Sequence, residues 1–172
     1  MTEQKHIIIS ALGLDKPGIV SEISKTINNS KANIAESRMI KLGGDFSMMI
    51  LVSTHHENLD LLLKNLNKIN DVTVHTHETK ITSFDENEFK EANIVLSGTD
   101  NEGLVSSLTE KLAEHDINII EMNTGVMNAP MSGSTIFLLN ALISHNKDTL
   151  DILKEELIQL SEELDVDILL ED

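Results

Sequence analysis

Residues 13–21 read Gly-Leu-Asp-Lys-Pro-Gly-Ile-Val-Ser, and residues 98–106 read Gly-Thr-Asp-Asn-Glu-Gly-Leu-Val-Ser. The two stretches begin 85 residues apart (98 − 13), and the same offset places Asn33-Ile34-Ala35-Glu36 over Asn118-Ile119-Ile120-Glu121. A glycine-bearing turn, followed at a fixed distance by Asn-Ile-x-Glu, therefore occurs twice. Such a repeat indicates two copies of one small folding module, and with them two copies of any site that the turn builds.

The length of the chain agrees with this duplication. A chain of 172 residues accommodates two modules of roughly 80 to 85 residues each. We place the first module at residues 1–82, an acidic linker at 83–92 and the second module at 93–172. Modules of this size bury only about 60 to 65 % of their unfolded surface and are marginally stable alone. We therefore expect them to pack on each other, on a second chain, or on both.

Both copies show the same succession of apolar patterns. Alternating or β-rich runs indicate strands, and apolar residues at helical spacing indicate helices. The predicted order is β-α-β-β-α-β, over residues 6–12, 17–29, 33–42, 45–54, 59–69 and 72–81, and again over residues 93–98, 103–115, 117–127, 134–143, 148–164 and 166–170. Pro17 is placed in the first turn of a helix, where proline is tolerated. The fold class is α+β: two ferredoxin-like modules, each a four-stranded antiparallel sheet with two helices on one face.

The hairpins of the two copies differ in length. In the first copy Gly43-Gly44 forms a tight turn, whereas residues 128–133 form a longer loop in the second. The strand after Gly44 is apolar on both faces, because one alternating set is Phe46, Met48, Ile50 and Val52 and the other includes Met49 and Leu51. A half-exposed strand should alternate with polar residues. We therefore expect the sheet face without helices to be covered by the other module or by another subunit, and we predict a homodimer.

The charge of the chain argues against direct contact with nucleic acid. It has 29 acidic and 13 basic residues, among them a single arginine, Arg38, and a net charge of −16. Neutralisation of phosphates provides most nucleic-acid affinity, and no Lys/Arg cluster is visible that could overcome this field. We interpret the acidity as a means of keeping the protein soluble, the alternative being recruitment of a basic partner.

Composition also suggests where the protein works. No apolar run is long enough to cross a bilayer, and the first five residues lack the apolar stretch of a signal peptide. Cysteine is absent, so neither disulfides nor cysteine metal sites are expected. We therefore predict a cytoplasmic protein that does not engage a membrane.

The repeated turn has the chemistry of an anion site. At residues 13–18 the chain leaves a strand and begins a helix, whose first amides have no internal partners and carry the positive end of the dipole. Amides near Gly18 and Ile19 could hold a carboxylate, while Asp15 or Asn33 could accept hydrogen bonds from an ammonium. The alternative is purely structural: the aspartates cap helices, the glycines make turns and the asparagines start strands.

The residues of both turns resemble those of the ACT domain family. The resemblance is carried by an apolar strand, then Asp-x-Pro-Gly-Ile-Val (residues 15–20) opening a helix, then Ala-Asn-Ile-x-Glu-Ser (residues 32–37) opening a strand. It extends over about residues 6–170. Among proteins with two such domains, the chain most resembles the transcriptional repressors of the glycine cleavage system, and the hairpin of residues 39–46 adds to this match.

The resemblance implies a ligand and a set of binding residues. ACT domains typically bind amino acids or other small metabolites at module interfaces, through the first turn and the start of the second strand. The matching positions in the first copy are Asp15, Pro17, Gly18, Ile19, Asn33 and Ile34. Those in the second copy are Asp100, Gly103, Leu104, Asn118 and Ile119.

The two copies differ at the turn itself. Pro17 is replaced by Glu102, and Lys16 is replaced by Asn101. A glutamate against the helix N-terminus would compete with an anionic ligand. We therefore favour the first copy as the working site.

No pattern for catalysis or metal binding stands out. The chain lacks the motifs Gly-x-Ser-x-Gly and His-Glu-x-x-His and a glycine-rich phosphate loop, so we predict no enzyme and no cofactor. His75 and His77 share one face of a strand, but no third ligand stands at a recognised spacing. We interpret them as surface histidines and predict no metal site.

The resemblance implies an amino-acid-sensing regulator, with glycine as the first candidate ligand. It would control transcription, in particular of glycine cleavage genes, indirectly through a transcription factor. Two alternatives remain open: a ligand-free interaction module, and a regulatory subunit of an amino-acid metabolic enzyme.

Overall fold

The computed structural model describes residues 4–80, 89–128, 135–146 and 149–171. The chain divides into two compact units, Met1–Thr82 and Ser83–Asp172. The elements of the first unit are β1 (Gln4–Leu14), α1 (Ile19–Asn29), β2 (Asn33–Leu42), β3 (Asp45–His55), α2 (His56–Leu66) and β4 (Val72–Thr79). Those of the second are β5 (Phe89–Thr99), α3 (Leu104–Glu114), β6 (Asn118–Asn128), β7 (Thr135–Asn146), α4 (Leu150–Leu164) and β8 (Val166–Glu171).

The predicted fold class is confirmed. The first unit has a sheet in the order β2-β3-β1-β4, and the second has the matching order β6-β7-β5-β8. All neighbouring strands are antiparallel. Each unit is thus one βαββαβ module, and the edge strands are β2 and β4 in the first unit and β6 and β8 in the second.

Each unit has its own apolar core between the helices and one face of the sheet. Along β3, burial alternates strictly, so that every second side chain from Phe46 to Thr54 is buried. The helix α1 contributes Ile19, Ile23 and Ile27, spaced four residues apart on one stripe. In the second unit, α3 contributes its own buried stripe, Leu104, Leu108 and Leu112. The opposite face of each sheet, without helices, is here called the open face.

The first helix begins later than the sequence indicated. We predicted a start at Pro17, but α1 begins at Ile19 because Gly18 takes a left-handed conformation, φ 93°, just before it. Gly103 repeats this conformation with the same φ before α3. A positive φ favours glycine because it has no Cβ. Both glycines are therefore required by the backbone of the turn, whatever else they do.

The second helix is displaced from its predicted position. We predicted residues 59–69, whereas α2 spans His56–Leu66. Ile69 has helical spacing and is buried, but it lies beyond the helix, where its amide donates to the carbonyl of Leu66. Two residues later Asp71 has φ 63° and turns the chain into β4. In the sequence pattern, the buried Ile69 of the turn was therefore mistaken for a further residue of the helix.

The strand β5 begins earlier than predicted and shortens the linker. We predicted the strand from Asn93 and a linker over 83–92, but residues 89–92 pair with Ile143–Asn146 of β7. Residues 83–88 of the linker and 129–133 of the long hairpin lie outside the described residues. The module boundaries at 82 and 93 remain predictions.

Two glycines of β1 and β5 are required by close packing. A Cβ on Gly13 would lie 2.3 Å from the carbonyl oxygen of Asp71, and one on Gly98 would lie 2.4 Å from Cγ1 of Val166. In both units the glycine thus lets the last strand approach the first. Within the described residues, no helix is long and apolar enough to span a membrane.

An ion-pair cluster joins the two helices of the second unit. Nε2 of His115, next to the end of α3, lies 2.7 Å from Oε2 of Glu156 on α4, and Nζ of Lys111 lies 3.5 Å from the same oxygen. The hydrogen bond from His115 holds the pKa of Glu156 below its ordinary value of 4.5, and the charges of His115 and Lys111 add to this effect.

Glu156→Gln is therefore expected to make stability less dependent on pH. A lowered carboxyl pKa stabilises the folded state above the unfolded-state pKa, and this contribution is lost as the pH falls through the folded-state pKa. We expect the variant to melt below the wild type at about pH 7 and together with it at about pH 3. Melting curves recorded by circular dichroism would test this, and a gap that persists in acid would contradict it.

Candidate functional site

The turn between β1 and α1 is held to the hairpin of the first unit. The amide of Asp15 donates to the carbonyl of Gly44 at 3.1 Å. Its carboxylate accepts a hydrogen bond from Nζ of Lys41, near the end of β2, at 2.5 Å. No side chain caps α1, so Asp15 is not a helix cap. It fixes the position of the turn instead.

The N-terminus of α1 has donors available to a ligand. The amide of Glu22 donates to the carbonyl of Gly18 at 2.9 Å, so the preceding amides of Val20 and Ser21 have no acceptor within the helix. A Cβ on Gly18 would meet nothing within 4 Å. A small anion can therefore approach the backbone closely at this point.

Two lysines form ion pairs beside this helix end. Lys41 pairs with Asp15, and Nζ of Lys16 donates to Oδ2 of Asp71 at 2.9 Å. The hydrogen bond that Lys16 donates to Asp71 raises the pKa of Lys16. Each lysine is paired at its own carboxylate, and both side chains are exposed. Lys41 was not among our predicted site residues, and the hairpin that carries it was noted only for the family resemblance.

Asn33, which we expected near the turn, lies at the other end of the unit. It pairs with Ser53 on β3, whereas Leu14, which leads into the turn, pairs with Asp45 on the same strand. Eight residues separate these two positions, which corresponds to about 26 Å at roughly 3.3 Å per residue. One amino acid cannot contact Gly18 and Asn33 of the same unit.

The Asn33 end has a cleft of its own. Its volume is about 360 Å³. The lining side chains are mostly polar: Gln4, Asn28, Lys31, Ala32, Asn33, Ser53, Thr54 and His55. Lys31 has φ 57° and Thr54 Oγ1 donates to its carbonyl at 3.4 Å. The chain leaving α1 is thereby turned so that Asn33 begins β2 at the wall of this cleft.

A β-bulge follows the asparagine in both units. The register shifts between Ile34 and Glu36 in β2, and between Ile119 and Glu121 in β6. Such bulges re-aim side chains near functional sites. The unpaired residue of each bulge is the x of the repeated Asn-Ile-x-Glu, Ala35 in β2 and Ile120 in β6. The repetition of this motif was the sequence signal that marked the position.

The apolar members of the predicted site serve the cores. Ile19 and Leu104 are buried, and Ile34 and Ile119 pack against the same cores from the side. Their backbone groups, not their side chains, are what a ligand could contact.

The second copy of the turn keeps its shape but not its charges. Gly103 has the same conformation as Gly18, and the carbonyl of Gly103 accepts from Ser106 Oγ at 2.8 Å. At the offset of 85, Lys41 corresponds to Val126, so Asp100 has no counterpart to that ion pair. The second turn therefore lacks both lysines of the first turn, and it has Glu102 in place of Pro17. At the other end of the unit, Asn118 begins β6 as Asn33 begins β2.

The two histidines of β4, His75 and His77, do not belong to either turn. His75 and His77 lie on the open face of the first unit, paired with Ser10 and Ile8. Among the residues that the structure describes, no group of three or more His, Cys, Asp or Glu could hold a metal ion.

Known proteins share this architecture. The ACT domain family model matches residues 5–77 and 93–171. The glycine cleavage system transcriptional repressor of Escherichia coli is 33% identical over 66 residues, a match that covers 38% of this chain and 35% of that protein. The chain thus matches only about a third of the length of this curated relative.

Solved structures cover more of the chain. A protein of unknown function from Galdieria sulphuraria has a TM-score of 0.88 and 30% identity, with 98% of both chains covered. A second structure, named after the glycine cleavage system transcriptional repressor, has a TM-score of 0.69 and 22% identity over 97% of this chain and 96% of its own; it shows the shared fold alone. The family model matches one module in each unit, and the chain therefore belongs to the ACT domain family.

Proposed function

We propose that the protein is a regulator that senses an amino acid, with glycine as the first candidate. The observation that carries this proposal is the N-terminus of α1, where two amides without helical acceptors and an open approach at Gly18 stand beside Lys16 and Lys41. A ligand carboxylate fits this combination, because the free amides and the positive end of the helix dipole favour negative charge, while Lys16 and Lys41 balance the carboxylates of Asp71 and Asp15.

The ammonium of the ligand needs an acceptor from elsewhere. Asn33 can accept, but it lies about 26 Å from the turn of its own unit, at the rise of an extended strand. The binding site therefore needs two modules. The Gly18 turn of one module holds the carboxylate, and the start of the second strand of another module accepts from the ammonium. Binding then stabilises one arrangement of modules over another, which is what a sensor requires.

The regulatory output is indirect. The name of the Escherichia coli relative refers to repression of transcription, and the acidic chain opposes direct contact with DNA. The protein acts through a transcription factor, and the genes of glycine cleavage are the first candidates. An enzyme partner and a ligand-free docking module are the alternatives.

Thermal unfolding against a panel of amino acids tests the ligand. A ligand at 100 times its dissociation constant adds about 2.7 kcal/mol to stability, which raises the midpoint of a chain of this length by roughly 5 to 10 °C. We expect a selective shift with glycine. If no amino acid in the panel moves the midpoint, the sensing function is wrong and the docking module is favoured.

A double variant and a matched control variant test the site. Asp15→Ala with Asn33→Ala is expected to abolish the shift, whereas Asp100→Ala is expected to retain it, because the second turn lacks both lysines and carries Glu102. Circular dichroism of the unliganded variants checks that the fold is intact. An unchanged shift in the double variant would reject the site at Gly18.

A further inference from the structure

A pocket lies between the two helices of the first unit. Its volume is about 240 Å³, which suits a small metabolite better than a drug-sized ligand. Ile69 is buried in its lining, whereas Glu22 and Lys68 are exposed. An apolar floor is thus surrounded by a polar rim, and none of these residues belongs to the Gly18 turn or to the Asn33 cleft. The lining residues come from α1 (Glu22, Thr26 and Asn29), from α2 (Asn65) and from the turn after α2 (Lys68 and Ile69).

The second unit has the same pair of helices, so the two units can be compared at this place. The helix α1 corresponds to α3 at the offset of 85, as their buried stripes show. The helix α2 corresponds to α4 at an offset of 91 (153 − 62). This second offset places the buried residues Leu62, Leu66 and Ile69 over Leu153, Leu157 and Leu160.

A contact between the helices supports this correspondence. In the first unit, Nδ2 of Asn65 donates to Oγ of the fully buried Ser30 at 3.1 Å. At the corresponding positions of the second unit, Nε2 of His115 lies 2.7 Å from Oε2 of Glu156. Both units therefore join their helices at the same two positions, and Ser30 fixes the side chain of Asn65 at the wall of the pocket.

The second unit fills this place with an ammonium group of its own. Nζ of Lys111 lies 2.8 Å from Oε2 of Glu114 and 3.5 Å from Oε2 of Glu156. These ion pairs connect α3 to α4 where the first unit has its pocket. The fold is thus compatible with an ammonium group at this position between the two helices.

The first unit keeps acceptors at this place but lacks the lysine. The three corresponding residues are Thr26, Asn29 and Asn65, and all of them line the pocket. Thr26 is too short to cross the pocket, and its Oγ1 donates to the carbonyl of Glu22 in the same helix at 2.8 Å. The amide oxygens of Asn29 and Asn65 can accept hydrogen bonds from an ammonium group. The first unit therefore offers space and acceptors where the second unit holds a lysine.

Two opposite charges at the rim of the pocket occur in the first unit alone. Glu22 and Lys68 both line the pocket, and no ion pair joins them within the described part of the chain. Nζ of Lys68 donates instead to Oδ1 of Asn65 at 3.4 Å. The corresponding residues of the second unit, Ser107 and Gln159, are uncharged. A carboxylate and an ammonium that line one pocket without pairing are complementary to a zwitterion.

We propose that this pocket binds a free amino acid with a short side chain. The ammonium group of the ligand lies toward Glu22 and its carboxylate toward Lys68, and the side-chain amides of Asn29 and Asn65 offer both donors and acceptors. The bound ligand connects α1 to α2, as the ion pairs of Lys111 connect α3 to α4. This site lies within one unit, and it depends neither on the Gly18 turn nor on the proposed function.

Amide NMR spectra of the isotope-labelled full chain test this site. The side-chain amide signals of Asn29 and Asn65 report on the pocket, whereas the backbone amide signals of Gly18 and Val20 report on the turn. We expect glycine and alanine to shift the pocket signals with a dissociation constant on the order of 1 to 10 mM, as is usual for so small a ligand. Ethylamine and acetate each carry one of the two charges and are expected to bind at least about fivefold more weakly.

Thr26→Lys introduces the residue that the second unit has at this place, so it fills the pocket in a helix pair that accommodates a lysine. We expect at least about tenfold weaker binding of glycine at the pocket. Asn28→Lys is the matched control, because it adds the same charge to α1 at an exposed position that does not line the pocket. It is expected to bind glycine as the wild type does. Lys68→Ala, at an exposed position, is a second variant and is expected to weaken binding at least about threefold.

The pocket and the turn are tested separately by this experiment. Loss of the pocket shifts in Thr26→Lys, with their retention in Asn28→Lys, would support the proposal. Shifts at Gly18 without shifts at Asn29 and Asn65 would overturn it and leave the proposed function intact. Pocket shifts that persist in both Thr26→Lys and Lys68→Ala, or that ethylamine produces as strongly as glycine, would also overturn it.

Discussion

Gly13→Ala is expected to lower the free energy of unfolding of the first unit by about 2 to 3 kcal/mol, as overpacking of a rigid site does. The added Cβ would lie 2.3 Å from the carbonyl oxygen of Asp71. That oxygen belongs to the backbone, and Asp71 is held at φ 63° where the chain enters β4. It cannot turn aside as a flexible side chain would, so β1 and β4 must separate locally.

Urea or thermal unfolding followed by circular dichroism measures this loss. For a unit of about 80 residues it corresponds to a fall in melting temperature of roughly 10 to 20 °C. Gly44→Ala is the matched control, because a Cβ there meets nothing within 4 Å and the residue has no positive φ; its effect should stay within about 0.5 kcal/mol. Equal stabilities of the two variants would show that the approach at Gly13 is not tight.

Phe46→Ala is expected to cost about 3 to 5 kcal/mol, the usual range for deleting a buried aromatic ring. Phe46 is fully buried, and it is the cross-strand partner of Gly13. In the second unit Phe137 is likewise opposite Gly98. Each unit therefore repeats a glycine of its first strand opposite a phenylalanine of its third.

Phe89→Ala provides the comparison for this variant. Phe89 is 38% exposed at the start of β5, so its removal leaves no enclosed cavity, and we expect a change below about 1 kcal/mol. Combining Gly13→Ala with Phe46→Ala should give less than the sum of the single losses, because contacting residues are not independent. Strict additivity would mean that the two residues do not share one packing site.

Prediction from the sequence was most successful where the signal was local and occurred twice. The repeated turn and the alternating strands were sufficient for two βαββαβ modules, since periodicity follows from which faces are buried. Errors appeared at the ends of elements. Pro17 and Ile69 each looked helical by type and spacing. Gly18, however, has a left-handed conformation that delays the start of α1 to Ile19, and α2 already ends at Leu66, before the turn at Asp71.

The candidate site was predicted in its parts but not in its assembly. The turn at Gly18 and the strand start at Asn33 could be recognised from residue chemistry alone. Their separation could not, because 15 residues of sequence say nothing about direction until α1 is known to run the length of the sheet. The ion pair of Asp15 with Lys41 was missed for the same reason, as the partners are 26 positions apart in the sequence.

The sequence by itself determined that the chain is a duplicated α+β protein with a glycine turn before the first helix of each copy. These properties depend on the periodicity of apolar residues and on the backbone preference of glycine, and both are set by residues that are close together in the sequence. Only the tertiary structure decided which side chains share a surface. Pairing across strands brings Leu12, Ile40 and Ser47 together on one face of the sheet and keeps Gly18 far from Asn33, because contacts between distant residues follow from strand register and not from spacing along the chain.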